Sequence, residues 1–153
     1  MTMMMKICFI SLTILFLWRV QDVAGACRCL HLSIQQAFCR ADVVFSAKVT
    51  GKQVVDTGNS PLRNPFKSIK YDIQVTKVYK GPGLNIDAVY TSSSSATCGV
   101  TLDTGDKLYL ITGKLEDDET VQITSCYFIE LYDDLSIAQT QKLIQCYTTG
   151  CGC

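Results

Sequence analysis

Apolar and polar positions change their spacing several times along this 153-residue chain, and each change predicts an element. After Lys6 comes a short apolar run, Ile7 to Trp18, followed by Ala24-Gly25-Ala26. The run is shorter than the roughly 20 residues that a bilayer span needs. A positive start, an apolar run and a small-x-small end predict a cleaved signal peptide over 1–26. In residues 33–40, Ile34, Ala37 and Phe38 recur at helical spacing behind Ser33, a good N-cap, and predict a short helix. From Asp42 the chain turns β-rich: Val43 to Val49 predicts a strand running into Gly51. Residues 56–65 hold two prolines among several turn formers and predict a hairpin loop. Residues 69–80 then alternate strictly, with Ile69, Tyr71, Ile73, Val75 and Tyr79 on one face. That pattern predicts a long half-buried strand, stopped by Gly81-Pro82-Gly83.

Three further strands are predicted at Ile86–Thr91, Lys107–Lys114 and Thr120–Leu131, with turns at Asp103–Asp106 and Glu116–Glu119. The acidic run 116–119 reads as a solvated hairpin tip rather than a metal site. Asp133 and Asp134 read as caps of a last helix, on which Ile137, Ile144 and Tyr147 share a face. About five strands with a short helix near each end predict a mainly β, small closed barrel. No internal repeat or low-complexity linker divides the stretch 27–153, which reads as one domain.

Charge narrows the functions. The chain is formally neutral and has no basic block or acidic tail. Losing Lys6, Arg19 and Asp22 with the signal leaves it near neutral, so neither nucleic acid nor a membrane surface is expected as a partner. Cleavage also removes Cys8 and leaves eight cysteines: Cys27, Cys29, Cys39, Cys98, Cys126, Cys146, Cys151 and Cys153. An even set in a secreted chain of this size predicts a disulfide framework whose pairing the spacing alone leaves open.

Catalytic chemistry is thinly supplied. His31 is the single histidine, and nothing in the sequence assembles a nucleophile and an orienting acid around it. There is no Gly-rich phosphate loop. A zinc site from Cys27, Cys29, Cys151 and Cys153 has one-residue spacings, shorter than those of zinc pairs, and secretion favours disulfides. The chain is therefore not expected to be an enzyme or to carry a cofactor. Cleavage after Ala26 instead creates a terminal cysteine, whose α-amine and carbonyl oxygen can close a five-membered chelate ring on a metal held by another protein.

The motifs Cys27-x-Cys29, Ala37-Phe38-Cys39, Lys77-Val78-Tyr79-Lys80-Gly81, Thr97-Cys98-Gly99, Leu110 to Leu115, Ile123-Thr124-Ser125-Cys126 and Tyr147-Thr148-Thr149-Gly150-Cys151 together resemble the N-terminal domain of the tissue inhibitor of metalloproteinases (TIMP) family. The resemblance implies a netrin-like, OB-type five-stranded closed barrel stapled by disulfides and flanked by short helices. It implies the bridges Cys27–Cys98, Cys29–Cys126 and Cys39–Cys151. Cys146 and Cys153 are left over, and a helix end followed by Gly150 and Gly152 lets them pair.

The implied function is secreted, extracellular inhibition of zinc metalloproteinases of the matrix metalloproteinase or related metzincin type, by a monomer. Cys27 would chelate the target's zinc through its main-chain N and O. Cys27, Arg28, Cys29 and Leu30, with Ser95, Ala96 and Thr97, would form the protease-binding edge. Vertebrate members continue into a second disulfide-rich domain, and the functions of that domain are not expected of the present stretch. Arg28 stands where the family has Thr or Ser, so a guanidinium would face the protease's specificity pocket and make inhibition selective. The competing reading is a netrin-like interaction module without inhibitory activity. An intracellular redox or zinc protein would require that the signal not function.

Overall fold

The computed structural model describes residues 2–20, 27–55, 67–82 and 85–153. The cleavage signal 24–26, the loop 56–65 and Gly83 lie outside the described residues. Helix α1, Thr2–Val20, covers the apolar run, and every side chain described on it is exposed. Among the described residues no helix is long and apolar enough to cross a membrane.

Six strands follow: β1 (Val43–Val55), β2 (Ser68–Lys80), β3 (Ala88–Ser92), β4 (Leu108–Leu115), β5 (Val121–Gln122) and β6 (Ile129–Leu131). They join in the order β1-β2-β3-β5-β4-β6, and β1 also pairs with β4. That extra ladder, Val43↔Gly113 to Lys48↔Leu108, closes a ring of five strands. All pairings are antiparallel except β3 with β5, where Val89 lies beside Val121. β6 continues beyond β5 along the same side of β4, pairing with Tyr109 to Ile111.

The alternation of β1 and β4 builds two cores at once. Val43, Phe45, Ala47 and Val49 of β1 point into the ring with Tyr71 and Ile73, Val89, Tyr109 and Ile111, and Val121. Val44 and Leu110, one register position away, point outward and meet Ile34 and Ala37 of helix α2 (Ile34–Arg40) and Leu143 of helix α3 (Ile137–Thr148). Each Val, Leu, Ile or Phe among them contributes about 1.5–3 kcal/mol on leaving water. α2 starts where the sequence predicts, with Ser33 and Gln36 forming a capping box.

Four sequence expectations are corrected. Tyr79 does not share the face of Ile69 to Val75. Register shifts opposite Ser46/Ala47 and Val44/Phe45 break the alternation, and Tyr79 joins the helix-side core. The strand expected over Thr120–Leu131 is two short strands, because a turn in which the Tyr127 amide donates to the Thr124 carbonyl interrupts it. The last helix is capped by Ser136 with Gln139 rather than by Asp133 and Asp134, which sit in a preceding 3-10 turn. It buries Leu143 and Cys146, while Ile137, Ile144 and Tyr147 remain exposed.

The fourth correction concerns sulfur. Cys39 bridges Cys153 and Cys146 bridges Cys151, in place of Cys39–Cys151 and Cys146–Cys153. Gly150 adopts φ +82° after α3 and turns the chain back on the helix end. Cys151 thereby comes to a Cα–Cα distance of 4.5 Å from Cys146. Cys153, two residues on, reaches Cys39 at 5.6 Å, where Gln35 Nε2 donates to the Gly152 carbonyl. The sulfurs of Cys39, Cys151 and Cys153 lie within 4.8 Å of one another, a crowding that residue spacing does not resolve.

Tyr71 carries the ring core to the loop beyond β3. Its buried hydroxyl donates to the Val100 carbonyl and accepts from the Leu102 amide, both at 3.2 Å. Tyr71→Phe leaves both backbone groups without that partner and is expected to cost about 1–3 kcal/mol. Urea unfolding of the two forms checks this, and equal midpoints would show that the hydroxyl contributes nothing.

Candidate functional site

Residues 27–33 form no regular secondary structure, so sulfur has to hold them. Cys27 is bridged to Cys98 and Cys29 to Cys126, with Cα–Cα distances of 5.2 and 4.9 Å. Both anchors sit just outside ring strands. Cys98 follows β3 through a 3-10 turn, Ser95–Thr97, and Cys126 lies between β5 and β6. The Ser125 amide donates to the Cys98 carbonyl at 2.9 Å, and the Ile123 amide donates to the Tyr90 carbonyl at 2.8 Å. These bonds stitch the two anchors to each other and to the ring.

The 92–99 turn is built from its own polar groups. The Ser94 side chain accepts from the Ala96 amide, and the Ser94 carbonyl accepts from the Thr97 and Gly99 amides. Ser92 and Thr97 join through their hydroxyls. Cys98 takes the left-handed conformation, φ 63°. A Cβ on Gly99 would lie 2.1 Å from the Ser92 carbonyl oxygen and 2.8 Å from that of Ser94, so only glycine lets the chain pass.

The expected edge residues are brought together. Arg28, Cys29, Leu30 and His31 are exposed, Leu30 at 77%, and so are Ser95, Ala96 and Thr97. The Cys27–Cys98 bridge sets the two stretches side by side. Beside them a shallow groove of about 220 Å³ runs between Cys29–Leu32 and Ser125–Glu130. On its wall Tyr127 is held above the usual phenol range by burial, then by the Asp42 carboxylate, and stays a neutral hydroxyl.

Four sulfurs crowd under this edge. Cys27 Sγ lies 3.7 Å from Cys29 Sγ and 3.8 Å from Cys126 Sγ, and Cys98 Sγ lies 3.6 Å from Cys126 Sγ. The alternative zinc set of Cys27, Cys29, Cys151 and Cys153 is not assembled. Cys27 and Cys29 lie with Cys98 and Cys126, whereas Cys151 and Cys153 lie with Cys39. All eight are bridged, and a bridged sulfur is not the thiolate that binds metal. The main-chain N and O of Cys27 have no hydrogen-bond partner among the described residues, and neither does the side chain of His31.

Sequence reasoning gave no role at this edge to three contributors: Ser94, Gly99 and Ser125. Gly99 and Ser125 stand in the family motifs, next to bridged cysteines, without a pattern that shows what they do there. Gly99→Ala is expected to force the Ser92–Cys98 turn open and to destabilise the chain by about 1–3 kcal/mol. Denaturant unfolding and amide shifts confined to residues 92–98 check this, and unchanged shifts there would show that the turn absorbs a methyl group freely.

Comparison with known proteins fits this geometry into a family. Residues 25–153 match the family model of tissue inhibitor of metalloproteinase. The chain is 46% identical over 145 residues to metalloproteinase inhibitor 2 of Rattus norvegicus, covering 94% of this chain and 66% of the relative. The inhibitor of the same name from Homo sapiens aligns with the same identity and coverage. That of Gallus gallus is 43% identical over 143 residues, covering 93% of this chain and 64% of the relative. The chain thus spans about two thirds of the length of these curated relatives. Members of the matched family are inhibitors and not enzymes. The chain belongs to the tissue inhibitor of metalloproteinase family.

Proposed function

We propose that this chain is a secreted inhibitor of zinc metalloendopeptidases that acts through the terminus created by cleavage after Ala26. The reading rests on one observation above all. Cys27 is fixed from its side chain by the bridge to Cys98, while its main-chain N and O have no partner among the described residues. The curated relatives, named metalloproteinase inhibitor 2, support the same target class. In this reading residues 27–153 are the inhibitory domain, its five-stranded ring is the OB-type barrel of netrin-like proteins, and it works outside the cell as a monomer.

The mechanism follows from the chemistry of an α-amine. Its reference pKa is about 8, so a lone pair is accessible at neutral pH. A protease's catalytic zinc keeps one position for water beside its protein ligands. The amine and carbonyl oxygen of Cys27 would occupy that position and remove the activated water. A free peptide terminus would lose conformational entropy on being so held, whereas this one is already ordered by two bridges. Arg28 would enter the specificity pocket, with Leu30 and the Ser95–Thr97 turn contacting the rims of the cleft. The chain would need no cofactor of its own.

Two predictions test this reading. Protein secreted from cells should begin at Cys27 by N-terminal sequencing, and a form retaining Ala26 should inhibit at least about a hundredfold more weakly, about 2.7 kcal/mol in binding. An extended form that inhibits a responsive protease equally well rules out chelation by the amine.

The second concerns Arg28, which is exposed at the edge. Its guanidinium suits a deep pocket, or one ending in water or a carboxylate, and is costly in a short apolar one. Arg28→Thr should strengthen inhibition of shallow-pocket enzymes, and Arg28→Gly should weaken inhibition of deep-pocket ones. Inhibition constants for the three forms across a protease panel decide this. Identical constants throughout would show that residue 28 does not enter the pocket.

A further inference from the structure

The two bridges under the edge are in contact with each other, and that contact has a chemistry of its own. We propose that Cys27–Cys98 and Cys29–Cys126 form a thiol-triggered switch, in which a small-molecule thiol catalyses their exchange to Cys27–Cys29 and Cys98–Cys126 and so unfastens the N-terminal segment. The packing of the four sulfurs supplies the proximity that each step needs. Cys29 is the exposed member of the cluster, while Cys27, Cys98 and Cys126 are half-buried. An external thiolate RS⁻ attacks Cys29 Sγ, forming RS–S(Cys29) and releasing the Cys126 thiolate. That thiolate lies 3.6 Å from Cys98 Sγ. It attacks there, forming Cys98–Cys126 and releasing the Cys27 thiolate. The Cys27 thiolate lies 3.7 Å from Cys29 Sγ. It attacks the mixed disulfide, forming Cys27–Cys29 and returning RS⁻. Two disulfides enter and two leave, no net electron is transferred, and the thiol is regenerated.

The consequence is mechanical. In the native pairing, residues 27 and 29 are each held by an anchor next to a ring strand. After exchange Cys27-Arg28-Cys29 is closed on itself, and only the chain through Leu30 connects it to the fold. Cys98–Cys126 keeps the two anchors joined, where the Ser125 amide already bonds the Cys98 carbonyl. The ring keeps its ladders and its joined anchors, while the terminus loses both of its holds. The bridges Cys39–Cys153 and Cys146–Cys151 belong to the other sulfur cluster, at the α2–α3 end, and take no part. The loss of inhibition that follows rests on the function proposed above; the exchange itself does not.

The test incubates the mature chain with reduced glutathione at about one-tenth of the protein's molarity, acid-quenches samples over time, and maps disulfide-linked peptides without reduction. Cys27–Cys29 and Cys98–Cys126 peptides should accumulate well beyond the thiol added, with intact mass unchanged. The rate should rise about tenfold per pH unit below the thiol's pKa, since the thiolate is the attacking form. Inhibition of a responsive protease should fall at least about tenfold in step, because an unpinned terminus must be ordered on binding. In the double variant Cys29→Ser, Cys126→Ser, Cys27–Cys98 has no partner and should survive the same treatment. Native pairing that persists throughout, or bridges lost only in proportion to thiol consumed, or Cys27–Cys98 lost from the double variant at the native rate, would overturn the proposal. The peptide map reads the exchange whether or not the chain inhibits a protease, so failure of the switch and failure of the inhibitor reading are told apart.

Discussion

Residues 27–33 have no ladder to hold them, and two sulfur bridges take the place of one. Cys27–Cys98 spans 71 residues and Cys29–Cys126 spans 97. In the chain-entropy description each removes about 4–5 kcal/mol of unfolded-state freedom. Their positional effect matters more to the edge. Two fixed points, two residues apart, determine where the intervening Arg28 sits and leave the backbone N and O of Cys27 without a partner among the described residues. A single bridge would act as a swivel, whereas a pair sets a direction.

The anchors are only as steady as the strands beside them. Cys98 is steadied through the Ser92–Gly99 turn and through Tyr71, which ties the stretch after it to the ring core. Cys126 is steadied by β5 and β6, short strands laid along β4. The parallel pairing of β3 with β5 brings their ends, and so both anchors, to one end of the ring. The fold thus converts a ring closure, made by β1 against β4, into the rigidity of a peptide that belongs to no sheet.

Much of this was legible before the structure. The capping residue of α2, the period-2 stretch of β2 and the grouping of Cys27–Leu30 with Ser95–Thr97 follow from local pattern or from the family motifs. What escaped has particular causes. Two bulges interrupt β2 between Val75 and Lys80, so a strict period over residues 69–80 placed Tyr79 on the wrong core. The helix α3 was legible as a helix but not as to its face, because Ile137 is 79% exposed while Leu143 packs with Ile34 and Ala37 of α2 and Cys146 is buried. The tail pairing turned on the φ of one glycine. Gly99 and Ser125 act through backbone crowding and a backbone hydrogen bond, and neither leaves a mark in hydrophobic pattern.

The shared strands of the two cores carry one more consequence. Phe45 and Ile111 fill the ring while their neighbours Val44 and Leu110 fill the space under the helices. In most half-buried sheets a slip of one residue exposes apolar side chains to water and is penalised on one face only. Here a slip of β4 against β1 would send Leu110 inward and Ile111 outward, mismatching both interiors together. The closed ring would also lose the ladder that runs from Val43↔Gly113 to Lys48↔Leu108. Strand alignment is thus proofread twice by the same residues, so a sheet with a two-residue strand in its circuit still assembles in one register.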